Sequence, residues 1–216
     1  MSGIVNRIKY AMSLRTPQEE ALSALDAISM HCDYQRDDKD VVEAAASRYS
    51  GKSRKVRMKF DFPSFCYAMA TGIGKTRLMG ACIYYLYKTK GYRHFFILTP
   101  GNTIYDKLRK ESNPAHPKYI FKGLEAEMGK PRIWDGENYD QYPVKYEQGA
   151  LFVDQTSEIQ LFIFNIGKIF NSRTTRSSTS TNSRRRLALP LRTFWHSSMT
   201  SSFAWTRRTT TTPRRQ

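Results

Sequence analysis

Acidic residues are scarce in this chain. Its 216 residues hold 19 Asp+Glu against 35 Lys+Arg, a formal net charge of +16. The shortage is uneven: residues 172–216 contain no Asp, no Glu and no Lys, yet carry ten Arg, whereas residues 1–171 hold every acid and a net charge of +6. Cysteine is also sparse. Cys32, Cys66 and Cys82 are odd in number and widely spaced, which excludes a disulfide framework and a cysteine-based metal pattern; reduced thiols in a cytoplasmic protein are expected. No apolar run approaches the ~20 residues of a membrane span, and no signal-like apolar stretch follows the N-terminus, so no membrane role is expected. Apolar residues are not lacking: they make up 40% of the chain, with 12 Phe and 13 Tyr, enough for a core and too many for wholesale disorder. The length suits one ordinary α/β domain.

The pattern along the chain alternates strands with helices. Residues 17–31 read as a helix, with Pro17 at a first helical position, Glu19 and Glu20 in the first turn, and Ala21, Leu22, Leu25, Ala27 and Ile28 at helical spacing. Residues 38–49 read as a second helix, followed by a basic loop with Lys52, Arg54, Lys55 and Arg57. Phe65 to Met69 reads as a buried strand, Ala70 to Gly74 as a loop, and Lys75 to Thr89 as a helix closed by Gly91, with Leu78, Met79, Cys82, Ile83 and Leu86 inward. His94 to Leu98 is expected to be a buried strand, Thr103 to Glu111 a helix, residues 112–150 an insertion of loops, and Ile159 to Phe164 another strand. The alternation predicts an α/β fold with a parallel sheet covered on both faces.

The sharpest signal is Met69-Ala70-Thr71-Gly72-Ile73-Gly74-Lys75-Thr76. Gly72 and Gly74 allow backbone N–H groups to turn inward on a phosphate, and the helix beginning near Lys75 directs its positive end at it. Lys75 is placed to neutralise the β- and γ-phosphates and the Thr76 hydroxyl to ligate Mg²⁺. The strict phosphate-loop pattern has Gly where this chain has Met69. Taken alone, the segment also fits an ordinary Gly-rich turn; the expected strand before it and amphipathic helix after it favour nucleotide binding.

This segment resembles motif I of superfamily 2 DEAD/DEAH-type helicases and translocases, of the kind found in the motor subunits of type I and type III restriction enzymes. Two flanking segments agree. Leu14-Arg15-Thr16-Pro17-Gln18-Glu19-Glu20-Ala21-Leu22 is similar to the family's adenine-reading element, and the resemblance implies that Gln18 and Arg15 read the base. Leu98-Thr99-Pro100-Gly101-Asn102-Thr103 is similar to motif Ia, which implies nucleic-acid backbone contacts at Pro100 and Thr103; a plain strand-to-helix turn fits those residues as well. Phe164 to Ile169 resembles a later strand end of the same enzymes. Residues 1–171 are thus expected to form part of a RecA-like domain, with Thr71, Gly72, Ile73, Gly74, Lys75 and Thr76 around ATP and Mg²⁺, DNA as partner and other restriction-modification subunits as further partners.

One element of a phosphate-loop ATPase is missing. Such enzymes need an Asp-Glu pair after a hydrophobic strand, to help hold Mg²⁺ and orient the attacking water. Asp154 follows Leu151-Phe152-Val153, but Gln155 stands where the second acid belongs. The box is expected within residues 172–216, where 30 of 45 residues are Ser, Thr or Arg and no core can form. One interpretation is a disordered basic tail that binds nucleic acid. Another is translation out of frame. Joining the last base of each codon to the first two of the next makes Met199-Thr200 read GAC, Asp, and Trp205-Thr206 read GAC, Asp. If Ser201 and Ser202 use TCN codons, the three triplets after the first Asp encode Phe, Leu, Ile or Val. Phe203-Ala204 then gives Cys or Arg, Ala204-Trp205 gives Leu, Met or Val, and Thr206 to Thr209 permit Glu-Ala-His after the second Asp.

The leading expectation is therefore the N-terminal ATP-binding part of a nucleic-acid-dependent ATPase, a fragment without hydrolysis of its own. The alternatives are a non-catalytic basic nucleic-acid-binding protein and a phosphate-loop phosphotransferase. His31, His94, His116 and His196 are expected to be structural or solvent-facing, and Tyr84, Tyr85 and Tyr87 to serve packing.

Overall fold

The computed structural model describes residues 2–31, 38–50, 65–141 and 158–167. Among these, helix α1 (Gly3–Ala11), α2 (Thr16–Ser29) and α3 (Lys39–Ser50) precede the phosphate loop, and α4 (Lys75–Lys90) follows it. Strand β1 (His94–Thr99), α5 (Asn102–Glu111), the single-turn α6 (Glu125–Met128), β2 (Arg132–Trp134) and β3 (Gln160–Asn165) complete the order. The three strands form one parallel sheet in the order β1-β3-β2. His94 pairs with Gln160 and Thr99 with Asn165 at the two ends of the β1–β3 ladder, and Arg132 to Trp134 pair with Gln160 to Phe162. The fold is the expected α/β class.

Successive residues of a strand point to opposite faces, and the sheet follows that rule. Phe95, Ile97, Leu161 and Ile163 join the main core with Val5, Leu22 and Leu78. Phe96 and Phe162 stack on the other face with ring centres 4.4 Å apart, and Phe164 meets the edge of Tyr139 there. Helix α4 runs through the middle of the core: every residue from Leu78 to Leu86 is buried. A helix buried on all sides has lost its polar face to neighbours. Here the neighbours include α1, α2 and the irregular segment around Tyr119, Ile120 and Phe121, whose Ile120 carbonyl lies where a side chain on Gly80 would stand. Gly91 ends α4 at φ +69°, with its N–H donated to the Tyr87 carbonyl.

Two expectations require correction. Phe65 to Met69 forms no ladder: Phe65, Tyr67 and Met69 are half-buried, while Cys66 and Ala68 are exposed. The segment is extended and one-faced rather than a doubly buried strand, because no described strand runs beside it to share its backbone hydrogen bonds. Residues 112–141 are not merely loops. They supply α6 and β2, and Tyr119, Ile120, Phe121 and Leu124 are core residues. Helix α1, for which the sequence raised no expectation, buries Val5 and Ile8 against the core. The basic loop Lys52 to Arg57, Cys32, Asp154, His196 and the segment 172–216 lie outside the described residues.

Candidate nucleotide site

The phosphate loop depends on two left-handed glycines. Gly72 has φ +83° and Gly74 φ +89°, a region that residues with a side chain adopt at a cost. Gly74 caps α4, and the N–H groups of Arg77 and Leu78 both bond to its carbonyl, at 3.0 and 3.1 Å. The earlier N–H groups of the first turn have no helical acceptor and carry the positive end of the helix dipole. The Lys75 ammonium folds back over the loop and donates to the Ala70 carbonyl at 2.6 Å. That bond holds the charge at the loop mouth, where an arriving phosphate would exchange with the carbonyl.

Gln18 fixes the loop from beneath. It is 1% exposed, and its Nε2 donates to the Ile73 and Gly74 carbonyls, both at 2.9 Å. Its Oε1 accepts the Arg15 N–H at 2.8 Å. A side chain on Gly74 would approach Gln18 Nε2 to 2.6 Å, so a bare glycine is needed for two independent reasons. Arg77 adds a second tie: its Nε donates to the Met12 carbonyl at 2.6 Å. Further along the seam, the Tyr85 hydroxyl donates to the Asp26 carboxylate at 2.9 Å, which also accepts from Ser2 Oγ at 2.7 Å. Burial, with the Asp26 bond second, pushes Tyr85 up to about 12, and burial pushes the Cys82 thiol up to about 12 as well. That thiol is therefore neutral and unreactive near pH 7.

A cavity of about 440 Å³ opens between the phosphate loop and the β1–α5 turn, within the range of small-ligand sites. Gly72, Gly74, Lys75 and Thr76 line one side, and Pro100 and Thr103 the other, with Met79, Ile97 and Leu98 among the apolar walls. The expected nucleotide and nucleic-acid residues thus meet at one opening. Thr71 is exposed and Ile73 half-buried outside the lining, and the Arg15 side chain is exposed away from it.

The sequence reading missed Lys107, which lines the same cavity. Its spacing of four residues from Thr103, placing both on one face of α5, was the available signal. No Asp or Glu is among the lining residues, so the one candidate metal ligand at the opening is the Thr76 hydroxyl. Among the described residues, no group of three or more His, Cys, Asp or Glu could hold a metal ion, and no helix is long and apolar enough to cross a membrane. Tyr84 and Tyr85 are buried, and His94 lies beside the Phe162 ring.

The family described as type III restriction enzyme, res subunit, matches residues 11–189. A Haemophilus influenzae protein, described as a probable type III restriction-modification enzyme HindVIP Res subunit, is 41% identical over 69 residues. That stretch covers 28% of this chain and 13% of the relative, so the chain matches only a small part of the relative's length. No solved structure matches.

Proposed function

The chain belongs to the type III restriction enzyme res subunit family, and we propose that it is the ATP-binding N-terminal part of a DNA-dependent ATPase, a helicase or translocase of restriction type. The observation that carries this reading is the shared cavity, lined by Gly72, Gly74, Lys75 and Thr76 on one side and Pro100, Thr103 and Lys107 on the other. The loop N–H groups and Lys75 receive the ATP phosphates, and Thr76 supplies a hydroxyl to Mg²⁺. Gln18 and Arg15 serve the adenine end, with Gln18 also holding the loop in shape through its two carbonyl contacts. The α5 N-terminus, with the Thr103 hydroxyl and Lys107, offers donors to a nucleic-acid phosphate. DNA and a modification subunit are the partners, in the cytoplasm.

In this mechanism Mg²⁺ and the loop neutralise phosphate charge, and Lys75 supplies the moving positive charge. No carboxylate at the opening orients the attacking water, so the 216-residue chain binds ATP weakly and does not hydrolyse it. Titration with a fluorescent ATP analogue tests this: binding lost on Lys75→Ala is expected. DNA-stimulated hydrolysis by the same chain, abolished by Lys75→Ala, would overturn the non-hydrolysing assignment.

A second reading, a non-catalytic nucleic-acid binder, is favoured by the ten Arg of residues 172–216. DNA affinity that falls steeply with salt, and loses that dependence when 172–216 are deleted, distinguishes it.

A further inference from the structure

Strand β1 is paired on one side only among the described residues: β3 is its neighbour and the sheet order ends at β1. Yet five of its six residues, Phe95 to Thr99, are buried. Such continuous burial belongs to interior strands of parallel sheets, and an open strand edge leaves a row of backbone donors and acceptors without ladder partners. The cavity touches this edge. Ile97, Leu98 and Thr99 are consecutive and all line it; since neighbours on a strand face opposite ways, a space reaching all three lies along the strand's side rather than over one face. At the C-terminal end of β1 this space opens on Lys75 and Thr76.

We propose that the free edge of β1 is the seat of a further strand, encoded by the nucleotides of codons 199–209 read one base out of register, and ending in the acidic pair that the cavity lacks. In that register the codons of Met199 and Thr200 give Asp, the next five triplets give three hydrophobic residues, Cys or Arg, and one more hydrophobic residue, and the codons of Trp205 and Thr206 give Asp. A run of this length and character matches the six residues of β1 and suits a strand buried on both faces. Laid parallel to β1, it brings its C-terminal acids to the end where ligands of open α/β sheets bind. There they meet Lys75, Lys107 and the N-termini of α4 and α5, an environment positive enough to favour two carboxylates.

The inference rests on the ATP-site reading for the purpose of the acids, whereas the seat itself rests on the strand edge. Two experiments separate them. The gene sequence tests the occupant without any folding: the codons of Thr206, Arg207 and Arg208 are expected to be ACG, AGG and CGC, which read GAG, GCG and CAC, Glu-Ala-His, in the shifted register. A triplet other than GAG after the forced Asp overturns the proposal. The chain expressed from the gene with one base restored near codons 171–176 tests the seat. Its β1 amides are expected to exchange hydrogen about 100-fold more slowly than those of the 216-residue chain. A soluble, folded restored chain with unchanged β1 exchange overturns the seat, while slowed exchange without ATP hydrolysis leaves the seat standing and refutes the catalytic role of the acids.

Discussion

The N-termini of α4 and α5 face one cavity and are built differently. Helix α4 starts from a left-handed glycine whose carbonyl, with that of Ile73, is held by the amide of a residue on another helix. Helix α5 starts from Gly101 at φ −160°, ordinary extended backbone, with nothing within 4 Å of where a side chain would stand. Its support comes from the sheet: Asn165 Nδ2 donates to Asn102 Oδ1 at 2.6 Å, and Thr99 Oγ1 donates to the Phe164 carbonyl at 3.3 Å. The first construction bends the backbone tightly around a small volume and needs outside support. The second is a relaxed turn that any sequence could make. A loop that must surround a phosphate with N–H groups requires the first kind; a surface that touches a polymer's backbone can use the second.

The sharpest way to break the comparison is the same substitution on both sides. Gly74→Ala places a methyl group at positive φ and against Gln18 Nε2. It is expected to destabilise the fold by about 1–3 kcal/mol and to abolish binding of the ATP analogue. Gly101→Ala is expected to change stability by no more than about 0.5 kcal/mol and to leave nucleotide binding intact. Thermal melts and analogue titrations of both variants check this, and equal losses would erase the distinction.

Removing the supports is the next test. Gln18→Ala leaves two loop carbonyls and the Arg15 N–H without their partner, a loss of about 1–3 kcal/mol where the groups stay buried. Asn165→Ala removes the bond to Asn102 and the one accepted from the Gly167 N–H. It should cost about 1 kcal/mol, because its site borders solvent. Urea midpoints rank the two, and the ATP analogue should weaken with Gln18→Ala alone.

The same contrast decides what was legible in the sequence. The phosphate loop could be read because its requirements are local: glycine where φ is positive, Lys and Thr at the start of an amphipathic helix. Helices α2 to α5 could be read for the same reason, since their apolar spacing is written within each segment. The tie from Gln18 spans 55 residues and follows from how α2 packs on α4, which no local pattern encodes. Tyr119, Ile120 and Phe121 enter the core consecutively from irregular chain, with neither helical nor strand periodicity to announce them. The Phe65 to Met69 segment misled because its composition suits a doubly buried strand, while its observed exposure depends on which strands run beside it. Lys107 was missed because a lysine on an exposed helix face carries no signal until the opposite wall of the cavity is known.

The smallest expected effect concerns pH and again falls on the α4 side. Tyr85 is held neutral by burial and by its bond to Asp26, with its ionisation moved from an ordinary 10 to about 12. A group raised in the folded state contributes its full stabilisation below the unfolded value and loses it as pH climbs toward the folded one. Stability is therefore expected to decline from about pH 10 to 12 on account of Tyr85, and from about pH 9 on account of Cys82, also raised to about 12. Tyr85→Phe removes the hydroxyl that must ionise but leaves the thiol. Its helical signal in circular dichroism should survive to a higher pH than that of the unsubstituted chain, even though the variant forfeits the Asp26 bond and is slightly less stable at pH 7. Identical alkaline midpoints for the two chains would show that the seam between α2 and α4 does not carry the alkaline sensitivity, and would remove one of the reasons for treating α4 as the more dependent of the two helices.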